Sequence, residues 1–416
     1  MKFFTKIYSV TLFIISIILL SYIYYKSQIF WSGNKNNFYL TYVILLIGIN
    51  IFSILVYFSN QKIKEYLIIF SLSIFSVLYL FEGYLSFFKK KGYESKKKIY
   101  EKLIKVNNNA SVSVAPLSFF YHGKSIFPLS NISNSSIIDC NENGYFSIYE
   151  SDRYGFNNPD SEWDQKEIEF LLVGDSFTQG ACVNRPHDIA SVLRNLSDKS
   201  ALNLGHNGNG PLIAYAGLRE YLNPNVKNIL WMFSNSNDLE NLNDELNNMI
   251  LSEYLKDLKY TQNLKTRQLE IDSLINSIIN IYYKKLSYIR DFIFLSHLRR
   301  DFFKLSNQST SINKDQELKS LTEFLKIIQL SNNLAINNNS KFFFVYLPNG
   351  NEHFHLIKKE LENLDIPLID VTTEEMIKRK LNIKHLIPPG QHPTPLGYYE
   401  ITKIIFDLFH KNNINN

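Results

Sequence analysis

Four turns in this chain of 416 residues carry side chains able to do chemistry together. The first is Val173-Gly174-Asp175-Ser176-Phe177-Thr178-Gln179-Gly180, where the apolar run Ile168–Val173 stops at Gly-Asp-Ser. A run that short and apolar, closed by a turn signal, reads as a buried strand. Ser176 then stands at the carboxyl end of a strand, where open α/β sheets build their sites. Its hydroxyl is a candidate nucleophile, and the N–H groups of the turn are candidate anion donors. Two other readings fail on the letters. A nucleophile elbow has Gly two residues after the serine, where this chain has Thr178, and a P-loop needs a Lys that is absent here. The second turn, Gly205-His206-Asn207-Gly208-Asn209-Gly210-Pro211, has the glycine density that lets backbone approach a ligand. The third, Ser234-Asn235-Ser236-Asn237-Asp238, offers side-chain amide donors or a helix cap. In the fourth, Gly390-Gln391-His392-Pro393, a histidine in a fixed loop is a candidate general base.

The elements that must position these turns alternate. Strand patterns fall at Ile168–Val173, Ala201–Leu204, Asn228–Phe233, Lys341–Leu347 and Pro367–Asp370. Helical patterns fall at Asp188–Asn195, Pro211–Leu222, His355–Leu364 and Gly397–His410. Such alternation predicts a parallel sheet covered by helices on both faces. The stretch 239–339 is helical by period and reads as an insertion between the third and fourth strands. Residues 91–165 mix short β-like runs, Ser111–Val114 and Tyr145–Tyr149, with turn-rich segments and read as a lead-in.

The four turns, in this order, resemble the SGNH hydrolases, also called GDSL esterases and lipases. That family carries Gly-Asp-Ser, then a Gly, then Gly-x-Asn-Asp or similar, then a His. The resemblance spans roughly Glu167 to Leu408 and implies a flavodoxin-like three-layer α/β/α domain over 166–412. It implies Ser176 as nucleophile and His392 as base. The oxyanion donors would be the Ser176 N–H, Gly208 and Asn237. The family's Asp, three residues before the histidine, is Pro389 here. A Ser–His dyad is therefore the working expectation, with Asp370, ending the last strand, as the possible third member, or a backbone carbonyl holding the ring in its place. No cofactor or metal is expected. His353-Phe354-His355 beside Glu352 lacks matching ligands elsewhere and reads as a polar helix start, and His206 sits in a turn that needs no role for it.

The first ninety residues differ in kind. Ile7–Tyr25, Phe38–Asn60 and Tyr66–Phe81 are apolar runs, and the second is long enough to cross a hydrocarbon core of about 30 Å. We read residues 1–90 as three transmembrane helices. The net charge of +5 belongs to this region, because residues 1–100 hold twelve Lys and three Glu. The remainder is net acidic, which leaves no cationic face for nucleic acid. Lys89, Lys90, Lys91, Lys96, Lys97 and Lys98 follow the third run and vote for a cytoplasmic hydrolase domain. The cysteines, Cys140 and Cys182, read either as one disulfide of an oxidising compartment or as two buried thiols. An extracytoplasmic domain on a multi-pass anchor is the expectation, against that charge pattern. The expected activity is hydrolysis of acyl esters, such as O-acetyl groups, on a carbohydrate or lipid. The alternatives are O-acyl transfer at the same site, or a catalytically silent module that binds a glycan or a partner protein.

Overall fold

The computed structural model describes residues 2–30, 36–87, 96–122, 125–234, 238–283, 292–299, 314–348 and 353–414. The chain divides into two compact units, one of residues 1–93 with 285–310 and one of 94–284 with 311–416.

In the first unit, helices Lys2–Tyr24, Asn36–Phe58 and Gln61–Phe87 follow one another. Three stretches, Thr5–Ile29, Tyr39–Phe58 and Gln61–Ser86, are long and apolar enough to cross a membrane. Most of their large apolar side chains face outward, Ile18, Ile44, Leu55, Ile69 and Leu80 among them. Polar side chains instead meet between helices, as where Ser16 Oγ donates to Asn50 Oδ1 at 2.7 Å. That inversion suits an apolar solvent, in which polar groups must find partners inside the bundle. Glu82, fully buried in the third helix, accepts from the amides of His297 and Leu298 at 2.9 and 2.8 Å.

The second unit is built on five strands: β4 (Ile168–Val173), β5 (Ala201–Asn203), β6 (Val226–Phe233), β7 (Lys341–Tyr346) and β8 (Leu368–Asp370). They pair in the order β5-β4-β6-β7-β8, every pair parallel. This is the flavodoxin-like order, with the first strand inside the sheet and a switch point beside it. The strands are apolar on both faces because helices cover both. Alternate residues go to opposite sides: Leu171, Val173, Ile229 and Trp231 join one core, and Phe170, Leu172, Leu230 and Met232 the other. Helices Pro211–Tyr221 and Lys314–Asn337 contribute Leu212, Leu218, Phe324 and Ile328 to the first core. Helices Ile189–Ser197 and Pro395–Ile414 contribute Leu193, Tyr398, Ile401 and Ile405 to the second.

The lead-in belongs to this unit and forms a small sheet of its own, β1 (Ala110–Val112), β2 (Ser136–Ile138) and β3 (Ile148–Glu150). β1 runs parallel to β2, and β2 and β3 form an antiparallel hairpin. Its apolar residues Val112, Ile137, Ile138 and Tyr149 are part of the first core. The stretch 239–339 is not one body. Leu242, Leu251, Ile275 and Phe324 lie in the core of the second unit, whereas 292–299 belongs to the first.

Candidate active site

β4 ends at Gly174, where a Cβ would stand 2.7 Å from the Met232 carbonyl oxygen, so only glycine lets the chain turn there. Asp175 caps the one-turn helix Ser176–Gln179, its Oδ1 accepting from the Phe177 N–H at 2.9 Å. Ser176 is thereby the first residue of that helix, and its N–H has no acceptor among the described residues. The turn is buried. Burial pushes the Asp175 carboxyl up to about 6 and, together with the charge of Asp175, lifts Asp238 well above the carboxylate range.

His392 comes from the other end of the chain. Its loop is held by Thr394, whose N–H donates to the Leu386 carbonyl at 2.8 Å. Tyr398, one turn into the last helix, donates its hydroxyl to the Ala181 carbonyl at 3.2 Å and ties that helix to the serine loop. The result is a distance of 2.9 Å between His392 Nε2 and Ser176 Oγ.

The ring's other nitrogen meets Glu142, a residue the sequence reading did not single out. His392 Nδ1 lies 3.1 Å from both Glu142 carboxylate oxygens, and the His392 backbone N–H donates to Oε2 at 2.6 Å. An ionised carboxylate only accepts, so Nδ1 carries the proton and Nε2 is left to accept from the serine hydroxyl. Burial disfavours charge on both partners, but the hydrogen bonds and opposite charge across the pair prevail. Glu142 is held below the usual carboxylate range and His392 above its ordinary value, with Asp175 and Asp139 adding to the upward push on the ring.

Asp370 does not take this place. Its Oδ1 accepts from the Thr372 N–H at 2.9 Å, in the turn just ahead of the helix Thr373–Lys378. It does end a strand on the same edge as Ser176. But β6 and β7 intervene between β4 and β8, and three strand spacings amount to roughly 14 Å.

Gly208 adopts φ +85° in the turn after β5, next to β4 in the sheet. The turn is tied to the serine turn, His206 donating its N–H to the Gly174 carbonyl at 3.4 Å. No acceptor for the Gly208 N–H is present among the described residues. Behind it, Glu245 accepts from the N–H groups of Gly210, Leu212 and Ile213 at 2.6, 2.8 and 3.3 Å, fixing the start of the next helix. Asn237, the other expected donor, lies outside the described residues. His206 points away into the lead-in, its Nε2 3.0 Å from the Val114 carbonyl, and burial pushes its pKa down to about 4.

Cys140 and Cys182 form a disulfide, which decides between the two readings of the pair. With the His392 ring they make a cluster of metal-ligating residue types, but both sulfurs are bonded to each other and the ring is engaged by Ser176 and Glu142.

No protein-family model matches the chain, and no curated protein does. Among solved structures, the chain is similar to one described as "a putative lipolytic protein of G-D-S-L family from Desulfitobacterium hafniense DCB-2". That similarity covers 58% of this chain and 99% of the other, at 12% identity and a TM-score of 0.34. At that score it adds nothing to what the strand order and the site geometry say by themselves.

Proposed function

We propose that this chain is a serine esterase on a membrane anchor, cleaving acyl esters of a carbohydrate or lipid. The observation that carries the reading is the relay Ser176 Oγ···His392 Nε2, His392 Nδ1···Glu142. A serine hydroxyl is a poor nucleophile near neutral pH unless a base takes its proton. Here Nε2 would take it as Oγ attacks the ester carbonyl, and Glu142 would stabilise the resulting imidazolium. The negative charge on the former carbonyl oxygen would face the N–H groups of Ser176 and Gly208, with the Asn237 amide as third donor. The imidazolium then protonates the leaving alkoxide. Water, activated by the same ring, releases the acid and restores Ser176. A sugar or lipid hydroxyl in place of that water gives O-acyl transfer, so hydrolase and transferase share the first half of the reaction.

A silent module that binds a glycan or a partner has no use for a ring held between a carboxylate and a serine, which is why we place it second. The disulfide supports an extracytoplasmic setting, since such bonds persist in oxidising compartments. The lysines after the third helix argue the other way.

The test is labelling of the full-length protein, in detergent, with a fluorophosphonate. Wild type should label and Ser176→Ala should not. A folded wild type that neither labels nor turns over a short-chain acyl ester would sink the reading.

A further inference from the structure

Glu142 stands on the loop between β2 and β3, outside the doubly wound sheet that holds Ser176 and His392. The hairpin ladder continues one step past its strands, with the Asp139 N–H donating to the Ser147 carbonyl and the Ser147 N–H to the Cys140 carbonyl, both at 2.9 Å. Glu142 lies beyond the last of these rungs. Apart from its own contact with His392, the tip is tied to the serine loop at Cys182, and at its base the Ile148 N–H donates to Asn184 Oδ1 at 2.8 Å. The Cys140–Cys182 bond joins the two loops with their Cα atoms 4.8 Å apart. Asn143 Nδ2 donates to the Cys182 carbonyl at 3.0 Å, and the Cys182 N–H donates to Asp139 Oδ2 at 3.3 Å. Cys140 is two residues from Glu142, Cys182 is six from Ser176, and Cys182 Sγ lies 3.6 Å from His392 Nδ1. The covalent link therefore sits where the carboxylate-bearing loop meets the loop that follows Ser176, beside the His392 ring.

We infer that the Cys140–Cys182 disulfide is the clasp that holds the Glu142 carboxylate on His392, so that the site is a three-membered relay only while this bond is closed. The inference rests on the esterase reading above. The Glu142–His392 pair is between a fifth and a quarter exposed, and a pair so placed is too weak to order a loop tip unaided. A dithiol opens the bond by exchange: its two thiols become a cyclic disulfide, and Cys140 and Cys182 each gain a proton. Only hydrogen bonds, from Asn143 to Cys182, from Cys182 to Asp139 and from Ile148 to Asn184, then tie the hairpin to the serine loop. Where they yield, the carboxylate withdraws and leaves Ser176 and His392 as a dyad.

The experiment compares the oxidised full-length protein in detergent with the same protein after dithiothreitol, and with Cys140→Ser/Cys182→Ser. p-Nitrophenyl acetate is the substrate. Reduction should lower kcat by about 10²-fold or more, approaching the loss in Glu142→Gln, with KM little changed and activity restored on reoxidation. In the Glu142→Gln background, opening the disulfide should cost almost nothing further, because the group it positions is already gone. Unchanged kcat with both thiols shown free would overturn the inference. So would losses from the two changes that multiply, since a bond that merely stabilises the fold acts independently of Glu142.

A second readout needs no turnover. The titration midpoint of the His392 ring, followed by histidine-selective NMR in Ser176→Ala, should drop on reduction. Glu142 then ceases to hold the ring's proton, while Asp175 and Asp139 still face it. A midpoint that does not move refutes the clasp even if the protein proves to be no esterase. A midpoint that drops in a protein that never labels upholds the clasp and refutes the esterase.

Discussion

Among the described residues a His ring meets both a Glu and a Ser twice, once in each unit, and only one of the two sets has them on opposite ring nitrogens. In the membrane-like unit, Glu82 and Ser86 both approach Nδ1 of His297, at 2.8 and 3.2 Å. In the sheet unit, Glu142 approaches Nδ1 of His392 and Ser176 approaches Nε2, at 3.1 and 2.9 Å. The first arrangement satisfies a buried carboxylate, which a helix of that apolar composition could not otherwise bear. The second passes an effect across the ring: a carboxylate on one nitrogen makes the other a better base. Residue types and short distances are common to both. What differs is that the second set places its carboxylate and its hydroxyl on opposite ring nitrogens, and three separate loops of the second unit meet to do so.

Substitutions can break this comparison at several strengths. The largest contrast is between the serines. Ser176→Ala should abolish fluorophosphonate labelling and lower turnover on the order of 10⁶-fold, as loss of a nucleophile does. Ser86→Ala should leave turnover within twofold. Equal losses would mean that the ring geometry does not separate the two sets.

Next come the glutamates. Glu142→Gln should lower kcat by up to about 10⁴-fold, since an amide can hold the ring in the wrong tautomer. Glu82→Gln should leave kcat unchanged but lower the melting temperature in detergent, because the His297 and Leu298 amides lose a charged acceptor. Steady-state kinetics beside thermal melting would separate the two effects.

Loss of the expected oxyanion donor, Asn237→Ala, should cost ~10²-fold in kcat with KM nearly constant. An unchanged rate would remove Asn237 from the proposed oxyanion donors.

The pH dependence is a smaller, sharper test. His392 must be neutral to take the serine proton, so kcat/KM should climb as pH rises through its pKa, which Glu142 lifts above the ordinary imidazole value. In Glu142→Gln that limb should move to lower pH. An acid limb that stays in place would show that Glu142 does not act on the ring.

The smallest effect belongs to Asp370→Asn. It should change turnover less than twofold, because Asp370 bonds Thr372 and lies several strands from the serine. A loss approaching that of Glu142→Gln would reverse the assignment of the carboxylate.

Ser176 and His392 were legible in the sequence because each is announced locally: one by an apolar strand ending in Gly-Asp-Ser, the other by a Pro- and Gly-fixed loop before a helix. The strands could be read for the same reason, each being a short apolar run between turn signals. Glu142 could not be read in this way. It lies 250 residues from His392, in a hairpin whose flanks say nothing of catalysis. One signal did exist, in that Cys140 and Cys182 sit close in sequence to Glu142 and Ser176, so pairing them would have brought the two loops together. Asp370 misled for a physical reason. A strand end fixes the edge of a sheet, but only the order of the strands fixes how far along that edge a residue lies. In the same way, helical period described 239–339 as one insertion, though its described parts fall in two units.

The position of Glu142 also separates two boundaries that usually coincide. A fragment cut at residue 166 would keep all five strands of the parallel sheet, together with the serine and the histidine. It would lose the carboxylate, one half of the disulfide and the apolar residues that β1, β2 and β3 add to the core. The smallest piece of this protein that holds the sheet is therefore smaller than the smallest piece that holds the site. Any excision that trims to the sheet discards the Glu142 carboxylate along with the hairpin.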